Sequence, residues 1–247
     1  MDSAYLDHAS RSQRRRPDGM EPIVHRDGNR VSLQFQIGEI QSEMLVDDPV
    51  FLALPYTRTM IDFMLCHRNP TYIVMIGLGG GSIPKWCYRE MPTADITVIE
   101  IDPQVIALRE RFHIPPDDHR FRVIYEDGAD YVVARAPGRI EVLLVDGFDI
   151  YGQSPQLCSQ TFYNDCHRAL TQDGVLVVNL CGPESEAAIE YIRRSFEDRV
   201  LVASPEDSEN RIVLATKGAH RWMGEEPYDE LMRKLRLHLW HAPTVRR

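Results

Sequence analysis

The chain has no long hydrophobic run. Its apolar stretches fall far short of the ~20 residues that a membrane-spanning helix needs, so no transmembrane segment and no membrane partner are expected. The first residues hold no apolar core of the kind a secretory leader carries, so no signal peptide is expected either. Basic charge is in deficit. Lys and Arg number 28 against 37 Asp and Glu, a formal net charge of −9. That balance argues against a nucleic-acid partner and suits a cationic ligand. No Cys-x-x-Cys occurs. The five cysteines (Cys66, Cys87, Cys158, Cys166 and Cys181) are odd in number and scattered, which fits reduced thiols in a cytoplasmic protein. No histidine stands at zinc-finger spacing from them. The neighbours Cys166 and His167 read as helix packing, so no metal site is expected. What remains is an ordinary globular composition, 43% apolar and 26% charged, over 247 residues. That length is enough for one sizeable domain and a small appendage.

The most informative stretch is Ile73-Val74-Met75-Ile76-Gly77-Leu78-Gly79-Gly80-Gly81-Ser82. An unbroken apolar run fits a strand buried on both faces. The glycines then allow a sharp turn and a close approach to a ligand, and a helix near 82–90 would aim free N–H groups at it. Alone, the run could be only a tight strand-to-helix turn. Strand-helix alternation continues from it, with strands near 72–77, 95–101, 121–126, 140–146 and 174–180. Helices fall near 82–90, 103–111, 128–134, 159–170 and 184–196. This predicts an α/β fold with a mostly parallel sheet. Two further strands, 199–203 and 211–216, are joined by a turn too short for a crossover helix, so they pair antiparallel. That ending points to a methyltransferase-like, Rossmann-type sheet.

Before the sheet, residues 31–46 alternate around Gly38 and read as a β-hairpin. Asp47-Asp48-Pro49 is expected to open a helix, with Pro55 bending it or starting a second piece. Four segments result. Residues 1–20 read as a disordered basic tail, 21–48 as the hairpin region, 49–218 as a nucleoside-binding domain and 219–247 as a C-terminal helical segment.

Acidic residues close three of the strands. Glu100 follows Gly77 by about the ~20 residues at which a carboxylate meets a ribose hydroxyl pair. Asp127-Gly128 ends the next strand and is expected at the adenine amino group. Either acid could instead cap the helix after it, and Asp102 is better placed than Glu100 to do so. Asp146 ends the fourth strand, beside the glycine loop, with Asp149 three residues on. An amine is protonated at neutral pH and must lose a proton before it attacks carbon. Asp146 is the candidate base and Asp149 the candidate holder of the cationic amine. Asp146-Gly147 could also be simple turn chemistry.

In combination and order these residues resemble the spermidine synthase (polyamine aminopropyltransferase) family. The carriers are Gly38-Glu39-Ile40-Gln41-Ser42, the glycine loop, Val98-Ile99-Glu100-Ile101-Asp102-Pro103, Glu126-Asp127-Gly128-Ala129, Val145-Asp146-Gly147-Phe148-Asp149, and Thr161-Phe162-Tyr163 with Leu170-Thr171-Gln172-Asp173-Gly174-Val175. The resemblance implies an aminopropyl transfer from decarboxylated S-adenosylmethionine, as a co-substrate and not a tightly bound cofactor, to an amine such as putrescine. Gln41, Gly77, Gly79, Gly81, Glu100, Asp127 and Gly128 would hold the nucleoside, and the protein would be a homodimer. Alternatives are a methyltransferase using intact S-adenosylmethionine and a non-catalytic nucleoside binder. Three departures fall on the amine side. Gly80 stands where the family has an aspartate, and 51–53 replaces a Tyr-His-Glu run with no polar group. A late tyrosine also has no counterpart in 204–210.

Overall fold

The computed structural model describes residues 21–149, 152–205 and 208–218; the expected basic tail and C-terminal helix lie outside them. The chain begins with β1 (Ile23–Asp27), β2 (Arg30–Gln34) and β3 (Ile40–Leu45), an antiparallel sheet in that order. The sequence predicts two of these strands. β1 is hidden from pattern reading because only Val24 of its five residues is even partly buried. Val31, Leu33, Phe35 and Met44 are buried and join the same core as Met75, Ile96 and Leu214.

The helix expected from Pro49 does not start there. Turns and bends fill 47–54, and α1 (Pro55–Met60) opens with proline in its first turn, running on into a 3₁₀ turn over Ile61–Leu65. A proline inside a helix lacks the N–H and clashes with the preceding turn, whereas at the first position neither matters. Leu54 is accordingly extended, as residues before proline prefer.

Strand and helix then alternate: β4 (Tyr72–Ile76), α2 (Ser82–Glu90), β5 (Asp95–Glu100), α3 (Pro103–Ile106), β6 (Phe121–Tyr125), α4 (Gly128–Ala134) and β7 (Ile140–Val145). A two-stranded ribbon follows, β8 (Phe148–Asp149) with β9 (Gly152–Gln153), which the sequence reading lacks. The remaining elements are α5 (Gln160–Ala169), β10 (Leu170–Leu180), α6 (Ser185–Ser195), β11 (Val200–Ala203) and β12 (Arg211–Thr216). α3 is shorter than the expected 103–111, because the chain passes into turns that end at His113 with positive φ.

The seven-stranded sheet has the order β11-β12-β10-β7-β4-β5-β6. Only β12 runs against its neighbours, pairing antiparallel with β10 and β11. Successive residues of each central strand feed opposite faces. Ile73 and Met75 belong to one core cluster, Val74 and Ile76 to the other. A strand apolar on both faces shows no alternation, which is why these strands read as continuous runs.

Candidate functional site

From β4 the chain builds outward one way through β5 and β6, and the other way through β7 and β10. Strand order therefore reverses between β4 and β7, and loops leaving their carboxyl ends part to form a crevice. A cavity of about 1560 Å³ opens there, its walls including the glycine loop, Gln41, Tyr56, Glu100, Asp127, Asp146 and Asn179.

The loop after β4 can fold only with glycine at its start. Gly77 has φ +94°, and a Cβ there would run into the Asp146 carbonyl. Gly77 and Gly79 line the cavity. Gly81 lies off the cavity wall. It caps α2 in the left-handed conformation, and its missing Cβ is filled by Ile114. Gly128, the first residue of α4, also lines the cavity, and a side chain there would strike Ile76.

Glu100 is nearly buried, and both its oxygens accept backbone N–H groups, from Leu78 at 2.9 Å and Asp102 at 2.8 Å. It therefore ties the glycine loop to the start of α3. Burial pushes its carboxyl above the ordinary value, against the pull of those two amides. Capping of α3 falls to Asp102, which accepts from Gln104 N at 2.8 Å. Asp127 caps α4 with one oxygen, accepting from Ala129 N at 2.8 Å and Asp130 N at 3.3 Å, and the residue lines the cavity.

Asp146 follows β7, and each carboxylate oxygen has a donor. Asn179 Nδ2 reaches Oδ1 at 2.8 Å and the Tyr56 hydroxyl reaches Oδ2 at 3.2 Å. Desolvation raises its pKa above the ordinary carboxylate value, and the two donors oppose that rise. The Tyr56 phenol is pushed well up by its own burial and by Asp146, so it stays protonated as a donor. It also lies 3.4 Å from the Gln41 carbonyl. Asp149 pairs with Gly152 in the ribbon, and its side chain lies outside what is described.

Sequence reasoning missed Tyr56 and Asn179. It looked for the family's polar run at 51–53, but Leu52 is 3% exposed in the core. Residues 51–53 bring no polar group to the site, as expected; the phenol there comes from α1, three residues further on. Pro55, which fixes the start of α1, was the available signal. The Gly80 expectation stands differently. A Cβ at Gly80 would lie 2.7 Å from Ser42 Oγ and 2.9 Å from Phe112 Cδ1, so no side chain fits there as the chain is packed.

The spermine/spermidine synthase domain model matches residues 53–205. A polyamine aminopropyltransferase of Chromobacterium violaceum is 37% identical over 198 residues, 79% of this chain and 76% of that one. Its counterpart in Neisseria meningitidis serogroup B is 34% identical over 215 residues, 85% and 80% of the two chains. The chain belongs to the spermine/spermidine synthase family. Solved structures agree on the fold. A probable spermidine synthase from Corynebacterium glutamicum superposes with TM-score 0.74 at 17% identity, covering 87% of this chain and 83% of that one. Human methyltransferase-like protein 13 superposes with TM-score 0.63 at 22% identity, covering 73% and 89%.

The electrostatics of the cavity are one-sided. Glu39, Glu100, Asp102, Asp127, Asp146 and Glu184 line it, and among the described residues no Lys, Arg or His does. Such a wall attracts cations and repels anions. Among the described residues no group of His, Cys, Asp or Glu is arranged to hold a metal ion, and no helix is long and apolar enough to cross a membrane.

Proposed function

We propose that the chain is a polyamine aminopropyltransferase, which moves the aminopropyl group of decarboxylated S-adenosylmethionine onto an amine such as putrescine. The observation that carries this reading is Asp146, held by Tyr56 and Asn179 in a cavity walled by carboxylates. Gly77, Gly79, Gln41 and Gly128 shape the nucleoside pocket. Glu100 takes the ribose hydroxyls and the Asp127 carboxylate accepts from the adenine amino group. Asp146 takes a proton from the acceptor ammonium, and Asp149 offers a second carboxylate to the amine. The freed nitrogen lone pair attacks the aminopropyl carbon bonded to the sulfonium. The C–N bond forms, the C–S bond breaks with its electron pair going to sulfur, and neutral methylthioadenosine leaves. Burial that raises the affinity of Asp146 for a proton improves it as a base toward an amine.

The acid-lined wall also selects the donor. Intact S-adenosylmethionine would bring a carboxylate into a cavity that offers no cation among the described residues. The decarboxylated donor brings only positive charge. A cytoplasmic homodimer belongs to the same reading. It is supported by free thiols and by the isoleucines exposed on the N-terminal sheet and its hairpin tip, Ile23, Ile37 and Ile40.

The test is mass spectrometry of the protein incubated with putrescine and either form of the donor. Methylthioadenosine and spermidine should appear with the decarboxylated form alone. A methylated product from the intact form would replace this reading with a methyltransferase. Asp146→Asn should lower kcat by about 10²-fold or more, the usual contribution of a general base.

A further inference from the structure

Behind Asp146 runs a chain of polar groups that leads to a loop far along the sequence. Asn179, at the end of β10, is 2% exposed. Its Nδ2 donates to Asp146 Oδ1 at 2.8 Å, and its Oδ1 accepts from Asn210 Nδ2 at 2.8 Å. Asn210 lies on the segment between β11 and β12. Its backbone N–H donates to Ser208 Oγ at 3.1 Å, and its Oδ1 accepts the Ser208 hydroxyl.

A primary amide presents donors at one end and an acceptor at the other. The chain therefore has a direction. The Asp146 carboxylate can only accept, so Asn179 turns its NH₂ to it and its oxygen to Asn210. Asn210 meets that oxygen with its own NH₂, which leaves its Oδ1 to the Ser208 hydroxyl. The Ser208–Asn210 pair thereby holds Asn179 the right way round. Were Asn179 free to turn over, its carbonyl oxygen would face the carboxylate and repel it.

Ser208, Asn210 and Asp146 all line the one cavity. We propose that Asn210 is a positioning residue that acts through Asn179 to hold the Asp146 carboxylate in its reactive orientation, so that the β11–β12 segment is coupled to the base. This rests on the reading of Asp146 as the base. The titratable group touching Asp146 is Tyr56, from α1. Glu39, Glu100, Asp102, Asp127 and Glu184 share the cavity wall, and none of them changes in the variants below.

The experiment is a double-mutant cycle read as kcat against pH at saturating putrescine and decarboxylated donor. Asn210→Ala should lower kcat about 10-fold and move the acidic limb up by about one pH unit, as expected when a hydrogen bond to a charged group is weakened. Asn179→Ala should do more on both counts. The double variant should match Asn179→Ala alone, because Asn210 then has nothing to act through. If the Asn210 effect persists at full size without Asn179, or kcat falls while the limb stays put, the proposal is overturned. Because Asn179 is buried and its truncation puts folding at risk, a second cycle uses Ser208→Ala with Asn210→Ala. Ser208→Ala should shift the limb in the same direction by less and add nothing to Asn210→Ala; additive effects overturn the proposal. Asp146→Asn, run alongside, separates the two failures. Full turnover by that variant removes the base and the inference with it. A dead Asp146→Asn beside additive amide variants removes the inference alone.

Discussion

Tyr56 stands 90 residues before Asp146, yet their side chains meet at 3.2 Å. Nothing local in the sequence joins them; the sheet order and the start of α1 do. The phenol donates to the charged form of Asp146 and so favours it. Tyr56→Phe should therefore move the acidic limb of kcat to higher pH and lower kcat about 10-fold near neutrality, the usual scale of a hydrogen bond to a charged group. A pH profile measured beside the wild type checks both. The sign of that limb follows from Asp146 itself. The base must be ionised and burial raises its pKa, so activity should fall on acidification at a higher pH than an ordinary aspartate would give. Glu100 and Asp127 were legible in sequence because strand ends and glycine spacing are local signals. Glu100→Ala and Asp127→Ala should each weaken methylthioadenosine binding by about 10-fold or more in calorimetry while the protein stays folded. Unchanged affinity in both would move the nucleoside site elsewhere.

Strand and helix positions were legible where one element explains its own pattern. β4, β5 and β7 are apolar on both faces, and Asp127 is an N-cap that the structure confirms. Elements whose form depends on partners were not. β1 has no buried face of its own, the β8–β9 ribbon has two residues a side, and α1 begins where Pro55 allows. Packing between α2 and the turns after α3 is also invisible in sequence. Lys85 of α2 is 2% exposed, and its ammonium donates to the Phe112 carbonyl at 2.7 Å. The Phe112 ring in turn occupies the space that a side chain at Gly80 would need. This lysine thus fixes the turn that closes the loop position to any carboxylate. Burial lowers its pKa to about 8. The folded state then holds fewer protons than the unfolded state between about 8 and the ordinary 10.5, so stability should rise with pH across that window. Urea midpoints from pH 7.5 to 10.5 should climb for the wild type relative to Lys85→Met, in which the titrating group is gone. Parallel curves would mean that the ammonium is not desolvated.

At the scale of the molecule, charge and architecture serve the same end. The N-terminal sheet shares its core with the main sheet through Leu33 and Met44, so it acts as one wall of the cavity and not as a loose appendage. That wall and the strand ends opposite it carry Glu39, Glu100, Asp102, Asp127, Asp146 and Glu184, within a chain of net charge −9. A diamine carries two positive charges to this cavity, whereas methylthioadenosine is neutral. Salt screens the first encounter and leaves the second alone, since the screening length falls from about 30 Å at 0.01 M to about 10 Å at 0.1 M. Raising ionic strength across that range should increase KM for the diamine several-fold and leave the Kd of methylthioadenosine within a factor of about two. Steady-state kinetics and calorimetry in the same buffers measure the pair. If both constants were flat, the acidic wall would not be what captures the acceptor, and its affinity would have to come from short-range contacts around Asp146. If both rose together, salt would be acting on the fold, which an unchanged melting temperature across the series would exclude.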